Sequence, residues 1–230
     1  KMILVAHRGA SGDYPENTLL AFRKALEFGA TWLELDVHLS ADGELVVIHD
    51  DRLERTTNGS GLVSDLLLSE LQALDAGQGE KIPLLREVFD LVAGSAVVNI
   101  ELKGCGSGEA TARLLTEWLE QGYVTGKNLL VSSFDLQELR VFREFLPDIR
   151  LAIICEHELA NIWQLMEELE VWSLHLNLPL VTSEVIAEIH RRGVRLFVFT
   201  VNKRSDLQRM HQLGVDGIFS DYPLPGLTTD

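Results

Sequence analysis

At 230 residues, with 46% of them apolar, the chain can bury a full core, and barrels of the α/β type commonly have this length. It has no apolar run of about 18 residues, which excludes a membrane-spanning helix. A formal charge of −15 excludes a nucleic-acid backbone as general partner, so an anionic ligand would need locally gathered positive charge.

The elements alternate along the chain. Residues 3–7 form a short apolar run followed by the turn Gly9-Ala10-Ser11-Gly12. Asn17 is expected to cap a helix running to about Phe28, which Gly29 stops. Then comes Trp32-Leu33-Glu34-Leu35-Asp36-Val37, a buried strand with Glu34 and Asp36 on one face, because alternate strand side chains share a face. Unpaired neighbouring carboxylates turned inward repel each other and lose hydration. They require a cation, a shared proton or basic partners, and a hard divalent ion accepts such oxygens. The competing reading is a half-exposed edge strand with solvated acids.

The stretch 37–44 is too short for a helical crossover, and Ala41-Asp42-Gly43 signals a turn. Residues 45–48 are therefore expected to run back antiparallel as a hairpin arm. That register sets Ser40 against Glu44, His38 against Val46 and Asp36 against Ile48, and brings His49 beside the two acids. Residues 51–79 read as a loop, Thr56-Thr57-Asn58-Gly59-Ser60-Gly61, and a short helix at 69–74. Pro83 opens a helix over 84–92. Strands follow at 97–102, 129–132, 151–154, 173–176, 196–200 and 217–220, with helices at 109–121, 136–145, 159–169, 183–192 and 205–212. With the arm set aside, eight strands remain, each but the last followed by a helix. This pattern predicts one (β/α)8 TIM barrel spanning residues 1–230, with the β-hairpin arm after its second strand. An open doubly wound sheet is the alternative, but no G-x-G-x-x-G follows the first strand.

Function in such barrels gathers at the carboxyl ends of strands. Those ends carry His7-Arg8, Glu34, Asp36, His49 after the arm, and Asn99, Glu101 and Lys103 on one strand face. Core strands carry so many charges only when these are paired or bind a metal.

The ordered set His7-Arg8-Gly9, Pro15-Glu16-Asn17-Thr18, Glu34-Leu35-Asp36-Val37, Val47-Ile48-His49-Asp50, Thr56-Thr57-Asn58-Gly59, Asn99-Ile100-Glu101-Leu102-Lys103, Phe199-Thr200-Val201-Asn202 and Asp221-Tyr222-Pro223 resembles the glycerophosphodiester phosphodiesterase family. The resemblance covers nearly the whole chain. It implies metal-dependent hydrolysis of a small glycerophosphodiester to sn-glycerol 3-phosphate and an alcohol. It implies His7 and His49 as general acid and base, and Glu34, Asp36 and Glu101 as ligands of one Mg²⁺ or Ca²⁺. It implies Arg8 and Lys103 facing the phosphate, and Phe199 as an aromatic wall where many relatives have Trp. Alternatives are a lysophospholipase-D-type or cyclising enzyme acting on lipid, and a non-catalytic binding barrel. Two imidazoles speak against the latter, because binding alone does not need them.

Other residues have plainer readings. His38 is expected to point outward along the arm, and His157, His190 and His211 to lie on the surface. His175 stands between core and site, and Trp32, Trp118, Trp163 and Trp172 read as packing. Glu16 is placed to brace Arg8. Gly104-Cys105-Gly106-Ser107-Gly108 has the composition of a phosphate cradle, but its place after Lys103 reads as a flexible rim loop. Cys105 and Cys155 read as reduced thiols, and the start lacks the long apolar region of a signal peptide, both consistent with a cytoplasmic protein.

Overall fold

The computed structural model describes residues 2–157 and 161–223. β1 (Ile3–Ala6) leads to α1 (Leu19–Glu27), and β2 (Trp32–Leu39) turns back into β3 (Leu45–Val47). After α2 (Leu68–Leu71) and α3 (Leu85–Val92), strands and helices alternate. They run β4 (Val97–Leu102), α4 (Ser107–Glu120), β5 (Leu129–Ser133), α5 (Leu136–Phe145), β6 (Arg150–Cys155), α6 (Ile162–Glu168), β7 (Ser173–Asn177), α7 (Ser183–Arg191), β8 (Arg195–Phe199), α8 (Arg204–Leu213) and β9 (Gly217–Ser220). The first residues of the helix expected over 159–169 lie outside the described residues.

The strands pair in the order β1-β9-β8-β7-β6-β5-β4-β2, and β1 pairs with β2 to close the ring. The result is the expected barrel of eight parallel strands, with β3 attached antiparallel to β2. The arm has the register that its turn dictates. Val37 faces Val47 and His38 faces Val46, while the N–H of Ser40 donates to Glu44 O and that of Ile48 to Asp36 O.

The core divides by strand face. Leu33, Leu35, Val37, Val98, Ile100 and Leu102 turn outward under the helices, in the large apolar shell between sheet and helices. Val5, Phe197 and Phe219 form a separate cluster, flanked by the half-buried Trp32 and Trp172. On β2 and β4 the opposite face carries polar groups instead, Glu34 beside Asn99 and Asp36 beside Glu101. A third cluster, including Val46, Ile48, Leu53, Leu71 and Ile82, fastens the segment after the arm against it.

Two expectations are corrected. Asn17 is not the cap of α1; Thr18 is, with an extended backbone and a hydroxyl accepting the Ala21 N–H at 3.2 Å. Asn17 sits in the left-handed region (φ +58°) rather than the extended region usual for a capping side chain, and its amide turns inward to Asp36. The glycine-rich stretch that leads into the first turn of α4 is not a free rim loop. The N–H groups of Gly106 and Gly108 donate to the Glu138 carboxylate at 2.9 and 2.6 Å, so an internal anion already takes these donors. Among the described residues no helix is long and apolar enough to cross a membrane.

Phe197 has no exposed surface. Phe197→Ala is expected to lower unfolding stability by about 3–5 kcal/mol in urea titration, and a loss below about 1 kcal/mol would contradict its place in the buried cluster with Val5 and Phe219.

Candidate active site

A cavity of about 390 Å³ opens at the carboxyl ends of the barrel strands. His7, Arg8, Glu34, His49, Glu101, Lys103 and Phe199 all line it. Asp36, with 0% exposure, lies beneath the surface of the cavity. Each side chain arrives by a distinct local device.

Glu34, Asp36 and Glu101 are all buried, and one oxygen from each comes within 4.8 Å of the others. The parallel register of β2 and β4 causes this, because Asp36 stands opposite Glu101 and Glu34 is two residues back on the same face. Backbone geometry adds a donor. Arg8 (φ +53°) and Gly9 (φ +80°) make a tight left-handed turn after β1, and the Arg8 N–H donates to Glu34 Oε2 at 2.8 Å. Only glycine fits at position 9, since a Cβ there would come within 2.6 Å of the Ala21 backbone.

Positive charge and amide donors surround the trio. Asn17 Nδ2 donates to Asp36 Oδ2 at 2.8 Å, and Arg8 Nε lies 3.4 Å from the same oxygen. Lys103 Nζ lies 2.5 Å from Glu101 Oε1 and 3.7 Å from Asp36 Oδ1. Arg8 Nη1 is braced by Glu16 at 2.9 Å. This charge does not offset burial and mutual repulsion at all three acids. Burial, then repulsion from Asp36 and Glu101, pushes Glu34 well above the carboxylate range. Burial and Asp36 push Glu101 up to about 7 against the pull of Lys103. For Asp36, burial acts upward, but Arg8 and Lys103 overcome it and hold the group low. Glu34 Oε1 and Asp36 Oδ1 are buried without a hydrogen-bond donor. Hard oxygen ligands, orphaned lone pairs and surplus negative charge fit a divalent cation.

Both cavity imidazoles are backed by carboxylates. His7 Nδ1 lies 2.7 Å from Asp221 Oδ1, and Asp221 is itself held by Asn202 Nδ2 at 2.6 Å and Ser11 Oγ at 3.1 Å. His49 Nδ1 lies 2.6 Å from Asp50 Oδ1. A carboxylate at Nδ1 selects the tautomer protonated there and leaves the Nε2 lone pair available. Burial pushes His49 below the usual imidazole range, although Asp36 pulls the other way.

Asp50 and Asp221 lie inside the motifs Val47-Ile48-His49-Asp50 and Asp221-Tyr222-Pro223, and their residue types alone assign them no task. Asp50 adjoins His49, and Asp221 follows β9, which barrel closure sets beside β1, so strand order alone points to it. His38 is a correction. It does not point out along the arm but is 8% exposed, with Nε2 2.9 Å from the His49 carbonyl oxygen. It shares the face of Asp36, and the arm folds over it. His175 is a buried wall residue, packed on Phe219 and Phe197 with centroids 4.8 and 5.5 Å away and 3.1 Å from Ser173 Oγ. Burial pushes it down to about 3, so it is neutral. His157, His190 and His211 are exposed, as expected. Phe199 sets its ring edge-on to Phe134 at 6.2 Å in the cavity wall.

A closed barrel with a buried acid trio and two carboxylate-backed imidazoles at its carboxyl mouth has the furniture of a barrel hydrolase. Residues 7–224 match the profile of the glycerophosphoryl diester phosphodiesterase family. A glycerophosphodiester phosphodiesterase of Caldanaerobacter subterraneus is 38% identical over 97% of this chain and 95% of its own. One from Bacillus altitudinis is 38% identical over 96% of this chain and 94% of its own. A phosphodiesterase of Oleispira antarctica, solved with its product sn-glycerol-3-phosphate, superposes with a TM-score of 0.90. It is 36% identical, over 96% of this chain and 93% of that one. The chain belongs to the glycerophosphoryl diester phosphodiesterase family, and it is an enzyme of that class.

The neutral, buried His175 gives a pH test. Its folded-state value lies far below the ordinary 6.5, so its stability contribution is full above pH 6.5 and is lost as pH falls toward 3. Between pH 6.5 and 4.5 the native protein should lose about 2 kcal/mol in total more than His175→Leu, measured by denaturant unfolding. Parallel stability curves would contradict the neutral buried ring.

Proposed function

We propose that this enzyme hydrolyses glycerophosphodiesters carrying small alcohols such as choline or ethanolamine, releasing sn-glycerol 3-phosphate and the alcohol. The observation that carries the reading is the convergence of Glu34, Asp36 and Glu101 within 4.8 Å beside the two imidazoles of the cavity. The Oleispira relative, with sn-glycerol-3-phosphate bound, supports the product assignment.

Glu34, Asp36 and Glu101 hold one divalent cation, Mg²⁺ or Ca²⁺. Bound there, the ion supplies charge neutralisation for the phosphodiester and polarises its phosphoryl oxygen. Arg8 and Lys103 add fixed positive charge at the cavity wall, which meets the need of a chain with formal charge −15 to attract an anion. His7 and His49 divide the proton transfers. One Nε2 accepts a proton of the attacking water as its oxygen bonds to phosphorus. The other ring, protonated, delivers a proton to the departing alkoxide as its P–O bond breaks. Asp221 and Asp50 hold the rings in the tautomer this requires and stabilise the imidazolium. Phe199 and Phe134 wall the space for the organic groups.

Purified protein given glycerophosphocholine and Mg²⁺ or Ca²⁺ should release glycerol 3-phosphate in a coupled assay, and chelation should abolish turnover reversibly. Turnover that resists chelation would contradict the cation. His7→Ala and His49→Ala should each lower kcat by about 10²–10⁴-fold with an unchanged circular dichroism spectrum. A rate near that of the native enzyme in either variant would contradict the acid–base pair.

A further inference from the structure

One guanidinium outside the cavity reaches both halves of this machinery. Arg55 lies in the loop after the hairpin arm, with a side chain 47% exposed. Its Nε and Nη2 donate to Asp50 Oδ2 and Oδ1 at 2.7 and 2.8 Å. Its Nη1 and Nη2 donate to Glu16 Oε2 and Oε1 at 2.9 and 2.8 Å. Asp50 is the carboxylate on His49 Nδ1, and Glu16 is the carboxylate on Arg8 Nη1. We infer that Arg55 is a positioning residue for the proposed proton-transfer and phosphate-binding groups, fixing Asp50 behind His49 and Glu16 behind Arg8 at once.

The geometry sets this apart from an ordinary surface ion pair, which contributes little because two long side chains must be ordered for one screened contact. Here a planar fork takes both oxygens of each of two carboxylates, a two-sided match that only a guanidinium makes. A carboxylate gripped at both oxygens cannot swing. Asp50 therefore presents Oδ1 to His49 in a fixed plane, and the imidazole inherits that plane. Glu16 is held in the same way against Arg8, which in turn faces Asp36 and Glu34.

Arg55 also sets the charge behind His49. The charged groups acting on that ring are Asp50 at Nδ1 and, across the cavity, Asp36, Arg8 and Lys103, while His38 contacts its carbonyl oxygen. Arg55 competes with an imidazolium for the Asp50 carboxylate. Removing it strengthens the hold of Asp50 on a protonated ring, so His49 should titrate higher. His7, backed by Asp221 on the far side, has no contact with Arg55 and should not move.

The test compares native enzyme, Arg55→Met and Arg55→Lys, and it rests on the acid–base reading only for its rate arm. Histidine ring NMR follows each imidazole against pH without substrate, and kcat/KM is measured on glycerophosphocholine in parallel. In Arg55→Met the His49 resonance should titrate about half a pH unit or more higher with His7 unchanged, and kcat/KM should fall about ten- to hundredfold. Lysine, a point charge, should return the His49 titration toward native but leave the rate low, because it cannot grip two carboxylates. An unshifted His49 in Arg55→Met, or an equal shift of both rings, overturns the role of Arg55. Absence of turnover in the native enzyme instead overturns the proposed substrate, and the NMR arm still decides on Arg55.

Discussion

Three carboxylates buried on the inward face of β2 and β4 are the constraint on which the mouth of this barrel depends. Brought together without water, Glu34, Asp36 and Glu101 repel one another, and burial and that repulsion raise Glu34 and Glu101 above the usual carboxylate range. The surroundings answer that repulsion from several directions. A left-handed turn aims the Arg8 N–H at Glu34, Asn17 leaves its capping position to serve Asp36, and Lys103 lies against Glu101. These neighbours neutralise only part of the charge, and they leave buried oxygens of Glu34 and Asp36 without donors. A fold that merely needed stability would replace such a cluster with apolar side chains, as β1, β8 and β9 do with Val5, Phe197 and Phe219.

The asymmetry of the barrel interior follows from this division. Apolar packing around Phe197 fills the interior along β1, β8 and β9, and burial keeps His175 neutral. The β2–β4 side carries charge, and the hairpin arm closes over it, bringing His49 and burying His38 beneath. Arg55, on the loop after the arm, ties that added segment back to Glu16 on the β1–α1 connection. The sheet thus places the acids, while the hairpin and its loop place one of the rings.

Much of this was legible from the chain alone because it depends on period and spacing. Alternation on Trp32–Val37 puts Glu34 and Asp36 on one face, and the turn at Ala41-Asp42-Gly43 determines the register of the arm. Regular strand–helix spacing gives the barrel. What escaped depends on contacts between distant side chains. Asp221 meets His7 across 214 positions of sequence; strand order brings their elements together, but no local periodicity announces the contact. Asn17 looked like a cap because its residue type suits one, but a backbone in the left-handed region and a partner on β2 gave it different work. The glycines leading into the first turn of α4 had the composition of an anion cradle, and only the structure shows Glu138 already seated there.

The central claim is that the acid trio is a site for a single cation. Calorimetric titration of Ca²⁺ or Mn²⁺ into chelator-treated protein, in buffers of different ionisation enthalpy, tests it directly. The account predicts one ion bound per chain with proton release below about pH 7, as Glu101 gives up its proton, and no binding after Glu34→Gln or Asp36→Asn. Undiminished binding in those variants, or binding without proton release at pH 6, would contradict it.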